Sequence, residues 1–260
     1  MKDIPAVILC GGTGTRLQEA TEFVPKPMIP IGGKPMVWHI MRLYYHYGVR
    51  DFVLALGYKQ EVFKNYFAHY AVINNDITVE KGQFYEHWWK EDNPEWKVTL
   101  SDTGEKTLKG ARLNRIRKYV SCAENFFVTY GDGVGNVNMQ RLLDFHLHHG
   151  KIATVTGIHP KPRFGEIKHD SWMVTSFSEK PENNQQMVNG GFFVFNQKIF
   201  DYLHNGDDCD LEIGVLDKLA ADGQLMVHPH AGYWGCMDTL PEMHELNKLW
   251  REGRAEWKIW

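Results

Sequence analysis

Apolar positions along the chain fall into two alternating rhythms. Ala6-Val7-Ile8-Leu9-Cys10 is a continuous apolar run ending in glycines, the pattern of a strand buried on both faces. From Val37 to Tyr44 the apolar residues recur at 37, 40, 41 and 44, one face of a helix that Gly48 is placed to stop. Phe52-Val53-Leu54-Ala55-Leu56 then predicts a second buried strand. Val62, Phe63, Tyr66, Phe67 and Tyr70 predict a second helix face. Phe126-Phe127-Val128-Thr129-Tyr130 is a further strand running straight into Gly131-Asp132-Gly133. A helix around Leu142 and Leu143 and a strand at Ala153-Thr154-Val155-Thr156 follow. This alternation predicts an α/β fold: a Rossmann-like, mostly parallel sheet with helices on both faces.

Two stretches break the rhythm. Residues 74–110 hold a polar, Trp-rich segment (Trp88, Trp89, Trp96) and then Val98-Thr99-Leu100, which reads as a β-rich insertion. From about 160 to 260 the strands are short and turn-rich, which predicts a small C-terminal elaboration beside the sheet. No repeat or linker separates these parts, so residues 1–260 are expected to form one domain.

Composition narrows the class. At 43% hydrophobic and 23% charged, the chain is neither disordered nor fibrous. Its 29 basic and 32 acidic residues give a net charge of −3, with no basic excess to announce a nucleic-acid binder. Cys10, Cys122, Cys209 and Cys236 lie far apart, without a CxxC pair, so reduced thiols and a cytoplasmic location are expected. The first glycines come too early for a signal peptide, and no apolar run approaches the ~18 residues of a membrane helix.

The candidate chemistry starts in the loop after the first strand. Gly11-Gly12-Thr13-Gly14-Thr15-Arg16 lets backbone N–H groups close around an anion at a helix N-terminus. The spacing is neither GxGxxG nor a Walker loop, and Arg16 adds a fixed cation suited to a triphosphate. Alone, such a loop also serves as a plain glycine turn. In Pro25-Lys26-Pro27 the prolines hold an extended backbone around a lysine that can supply a point charge to a phosphoryl group. A solvated loop lysine is the bland alternative. Gly131-Asp132-Gly133 follows a strand, where ligands bind in open α/β sheets, and Asp132 is placed to hold Mg²⁺. Asp238, ahead of a helix from Leu240, is a second candidate ligand or simply an N-cap.

Other conspicuous residues read as structural. His146 and His149 are expected on a solvated helix face, and His228-Pro229-His230 at a strand end. Asp207-Asp208-Cys209-Asp210 reads as a helix start, and Trp250, Trp257 and Trp260 as core or subunit contacts.

The glycine loop, Pro25-Lys26-Pro27, Gly131-Asp132-Gly133, Glu179-Lys180-Pro181 and Asn189-Gly190-Gly191 occur in the order seen in the sugar-1-phosphate nucleotidylyltransferases, and the chain resembles that family over nearly its whole length. Thr99-Leu100-Ser101-Asp102-Thr103-Gly104 and Met237-Asp238-Thr239 are most similar to members that use CTP; the Gln-Pro-Gly-Leu stretch usual in thymidylyl- and uridylyltransferases is absent. The resemblance implies transfer of a cytidylyl group from CTP to a sugar 1-phosphate, with glucose 1-phosphate as acceptor, CDP-glucose as product and Mg²⁺ as cofactor. It also implies a homo-oligomer. By the same resemblance the nucleotide is held by Leu9, Cys10, Gly11, Gly12, Thr13, Gly14, Thr15, Arg16, Lys26, Thr107, Arg112, Gly131 and Asp132. Arg16, Lys26 and Asp132 are the implied catalytic residues, and Asp132 and Asp238 the metal ligands. Glu179, Lys180, Asn189 and Gly190 are placed on the sugar side. The chain departs from the cytidylyl pattern at Pro30, across 210–216, where only Glu212 is kept, and around Trp234.

Overall fold

The computed structural model describes residues 1–12, 17, 21–87, 94–160, 166–178 and 186–260. Its centre is a seven-stranded sheet of β1 (Ala6–Cys10), β2 (Asp51–Leu56), β3 (Lys97–Asp102), β4 (Asn125–Tyr130), β5 (Ala153–Ile158), β6 (Val188–Asn196) and β7 (Leu225–His230). The order across the sheet is β3-β2-β1-β4-β6-β5-β7. All pairings are parallel except those of β6, which runs antiparallel to both β4 and β5.

The uninterrupted apolar runs are explained by burial on both sides. Ala6, Ile8 and Cys10 of β1, with Phe52, Leu54 and Leu56 of β2, enter one core. Val7, Leu9, Val53 and Ala55 enter the other. Side chains alternate across a strand, so a strand between two helical layers must be apolar at every position. The first layer contains α1 (Met36–His46), α2 (Gln60–Ala68), α4 (Met139–His149) and α5 (Leu240–Arg251); the second contains α3 (Lys109–Arg115). Gly48 closes the turn after α1 at φ 93°, a conformation few other residues tolerate. Among the described residues no helix is long and apolar enough to cross a membrane.

Both irregular stretches differ from expectation. Among the described residues of the first, one hairpin, Asp76–Glu80 with Gln83–His87, stands outside the sheet. Residues 97–102 are the parallel edge strand β3, and α3 begins at Lys109. An edge strand has one neighbour and stays half exposed, so β3 lacks the unbroken apolar run that marks its siblings. In the second stretch β6 lies inside the sheet between β4 and β5, while the hairpin Glu166–Asp170 with Met173–Ser178 and the short strand Trp234–Cys236, which pairs with Gly133–Gly135, lie apart from it.

The histidine reading also changes. His146 is 2% exposed rather than solvated: Nδ1 pairs with Thr154 Oγ1 at 2.8 Å and Nε2 with Asn125 Oδ1 at 3.1 Å. Burial depresses its pKa to about 4, so it is a neutral tie between α4 and the sheet. Trp257, 1% exposed, donates its indole N–H to His39 Nδ1 at 3.4 Å and locks the C-terminal tail onto α1.

Candidate active site

A cleft of about 730 Å³ opens at the carboxyl ends of β1 and β4, where the chain order reverses across the sheet. Open α/β sheets bind ligands at such a switch point, and the volume suits a nucleotide-sized molecule. Leu9, Cys10, Gly11 and Gly12 line one wall, with Lys26, Thr107 and Arg112. Gly131, Asp132, Asn189 and Asp238 line the other. Thr13, Gly14, Thr15, Arg16, Glu179 and Lys180 lie outside the described residues.

Two glycines are required by close approach. A Cβ at Gly11 would stand 1.9 Å from the Arg112 guanidinium carbon, and one at Gly131 would meet Pro27 Cγ at 2.7 Å. Among the described residues nothing lies within 4 Å of a Cβ position at Gly12.

Lys26 sits in the single turn Lys26–Met28 and is 9% exposed. Its Nζ donates to Asp132 Oδ2 at 2.8 Å and also to Asp238 Oδ1. Burial alone would lower the lysine pKa, but the two carboxylates outweigh it and hold the ammonium above its usual range. Asp238 reaches this position through a short antiparallel pairing of Trp234–Cys236 with Gly133–Gly135, reinforced by Met237 N–H donating to the Asp132 carbonyl at 2.9 Å. Asp238 is not the cap of α5. Thr239 is, in a capping box with Glu242, whose carboxylate accepts the N–H groups of Asp238 and Thr239 at 2.8 and 2.9 Å. The Asp238 side chain is thereby left to face Lys26.

Arg112, 3% exposed, is a hub of carbonyl contacts. Nη1 donates to Leu56 O, Thr103 Oγ1 and Gly104 O at 3.0, 2.9 and 2.7 Å, and Nη2 to Gly11 O and Glu105 O at 3.0 and 3.1 Å. These bonds gather the loops after β1, β2 and β3 under the cleft. Thr107 is 5% exposed and accepts from Arg115 Nη1 at 2.8 Å.

On the far wall Asn189 Nδ2 donates to Tyr130 Oη at 3.1 Å, and Asn189 Oδ1 accepts Gly191 N–H at 2.8 Å. The Tyr130 hydroxyl donates to Glu212 Oε1 at 2.6 Å, and Lys109 pairs with the same carboxylate. Trp234 Nε1 donates to the Gly190 carbonyl at 2.8 Å. Tyr130, Lys109 and Trp234 were not among the expected site residues. The available signals were weak: Tyr130 abuts Gly131-Asp132-Gly133, and Trp234 shortly precedes Asp238.

The two carboxylates offer hard oxygen donors with the Lys26 ammonium seated between them. Among the described residues no group of three or more His, Cys, Asp or Glu side chains gathers as a metal cage. Two carboxylates and an open side fit Mg²⁺, which is bound through one or two carboxylates together with substrate phosphates.

Sheet order and cleft define the class first, the nucleotide-diphospho-sugar transferase fold. A crystal structure of HddC from Yersinia pseudotuberculosis complexed with GMP-PN has the same fold, with a TM-score of 0.69 at 22% identity, covering 95% of this chain and 99% of that one. The chain belongs to the nucleotidyl transferase family, whose model matches residues 5–250. It is 44% identical to glucose-1-phosphate cytidylyltransferase of Salmonella typhi over 98% of this chain and 99% of that protein. It is 28% identical to mannose-1-phosphate guanylyltransferase of Mycobacterium tuberculosis over 91% of this chain and 61% of that one.

Proposed function

We propose that this protein transfers the cytidylyl group of CTP to α-D-glucose 1-phosphate, forming CDP-glucose and releasing pyrophosphate. The observation that carries this reading is Lys26 held between Asp132 and Asp238 beside the glycine loop, in a chain that matches a cytidylyltransferase end to end. A phosphate oxygen of the sugar 1-phosphate attacks the α-phosphorus of CTP in line, and pyrophosphate departs. The attacking oxygen is already anionic near neutral pH, so the reaction needs no general base. Catalysis comes from holding two anions together and stabilising the charge that develops.

In this reading Gly11 and Gly12 bring backbone N–H groups to the triphosphate, and Thr107 orders the loop beside it through Arg115. The Lys26 ammonium serves the reacting phosphate as a point charge. Arg16 and Lys180 are assigned the remaining countercharge, with Glu179, Asn189 and Gly190 on the sugar. Asp132 and Asp238 would hold Mg²⁺, which neutralises phosphate charge when bound. A cytoplasmic homo-oligomer is the assembly this reading expects.

The test is pyrophosphate release with CTP, UTP, GTP and dTTP, each against a panel of sugar 1-phosphates. The CTP and glucose 1-phosphate pair should exceed every other by at least about tenfold, the discrimination expected of a site that reads polar groups by hydrogen bonds. A better pair would reassign the substrates. Silence throughout would leave a binding protein on the same fold.

A further inference from the structure

Lys26 is the only cation the described residues place in contact with both Asp132 and Asp238, and it is nearly buried there. Its backbone is fixed between Pro25 and Pro27, with the Ile29 N–H donating to the Lys26 carbonyl at 3.2 Å. The stem beyond the backbone is a flexible four-carbon chain, so the ammonium is the part of the residue free to move. It holds the two carboxylates and lines the same cleft as Gly11 and Gly12.

An ammonium and a divalent cation cannot both sit against Asp132 Oδ2 and Asp238 Oδ1, because two like charges in contact in a partly desolvated cleft repel strongly. We propose that Lys26 is the resident counter-ion of the Asp132–Asp238 pair in the nucleotide-free protein, that a divalent cation binds there only when the ammonium leaves, and that a nucleotide triphosphate is the ligand that draws it away. The inference rests on the reading of Asp132 and Asp238 as the metal ligands. One movement then does two things: it opens the carboxylates to the cation and delivers Lys26 to the phosphates. Metal and nucleotide enter together, and metal alone binds weakly. Without the nucleotide the Lys26 ammonium offsets one of the two carboxylate charges and lies between them, which relieves their mutual repulsion.

The experiment uses Mn²⁺ alone, with no nucleotide and no sugar phosphate, followed by its electron paramagnetic resonance signal and by calorimetry. Lys26→Met should bind one Mn²⁺ at least about tenfold more tightly than the wild type, since the competing charge is gone. Lys26→Arg keeps the cation and should stay weak. Adding Asp238→Asn to Lys26→Met should cancel the gain. Equal affinity of Lys26→Met and wild type, or a gain that survives Asp238→Asn, overturns the proposal.

Two facing carboxylates without their lysine also make a fold that metal should rescue. Mn²⁺ should raise the melting temperature of Lys26→Met and leave the wild type nearly unmoved. A Lys26→Met protein that stays unfolded at millimolar Mn²⁺ overturns the proposal equally. None of these readouts involves turnover. A tenfold gain with no pyrophosphate release from any substrate pair would therefore refute the proposed reaction and leave the ion exchange standing.

Discussion

The Arg112 guanidinium donates to the carbonyl oxygen of Gly11 at 3.0 Å, joining α3 to a loop 101 residues earlier in the chain. The family resemblance puts this arginine on the nucleotide side, and its terminal nitrogens make five bonds to protein oxygens, four of them backbone carbonyls. Among the described residues no carboxylate forms an ion pair with it, and burial lowers its pKa. The charge is held by carbonyl dipoles under the glycine loop, so Arg112 shapes the cleft floor as well as adding positive potential to it.

Arg112→Lys should therefore be far from conservative. An ammonium offers three donors without the planar fork and leaves buried carbonyls unpaired, at a cost of about 2–4 kcal/mol. Urea denaturation checks this. A loss below about 0.5 kcal/mol, the usual size of a neutral surface change, would show that the carbonyl hub is dispensable.

Gly11→Ala should fail for a related reason. The new methyl would overlap the Arg112 guanidinium at 1.9 Å, so either the loop or Arg112 must shift. We expect the Michaelis constant for CTP to rise by about tenfold or more, since loop geometry of this kind governs binding. Gly12→Ala, whose methyl meets nothing within 4 Å among the described residues, is the comparison for fold stability: it should melt like the wild type.

Lys26→Ala should lower kcat by about 10²–10³ and change the Michaelis constants far less, the signature of a charge used chiefly in the transition state. Steady-state kinetics at saturating CTP reads this directly. Near-wild-type turnover would remove Lys26 from the reaction.

Thr239→Ala removes the cap that leaves Asp238 available to Lys26. It should cost about 1 kcal/mol of stability and loosen the carboxylate at the head of α5. Chemical denaturation measures the first effect. A lower affinity for divalent cation in the presence of CTP measures the second.

Stability should fall on mild acidification. Burial depresses His39 and His146 from 6.5 to about 4 each, so between those values the unfolded chain binds protons that the folded chain refuses. The associated stability is fully present above pH 6.5, is lost as pH falls toward 4, and changes no further below that. The loss is on the order of 3 kcal/mol per ring at most. Melting curves from pH 7.5 to 4 test the slope, and His146→Asn should flatten it.

Much of the architecture was legible from periodicity because two layers of helices cover the sheet. β1, β2, β4 and β5 are buried at nearly every position and read as unbroken apolar runs. β3 reads as part of an insertion because it is an edge, and the place of β6 inside the sheet is hidden because periodicity carries no information about strand direction. His146 looked solvated for the same kind of reason: a polar letter on a helix does not reveal that Thr154 and Asn125 wait to pair with it.

The chemistry divides in a similar way. The order of the glycine loop, Pro25-Lys26-Pro27 and Gly131-Asp132-Gly133 determined which residues were candidates, since each motif is local and its backbone demands are written in its prolines and glycines. Only tertiary structure decided what they do to one another. Lys26 and Asp238 are 212 positions apart, and they meet because a three-residue strand, Trp234–Cys236, pairs beside Gly133–Gly135. That contact depends on sheet register and on Thr239 taking the cap of α5, neither of which leaves a periodic trace. A sequence names its ionisable groups, but the distances that set their energies belong to the fold.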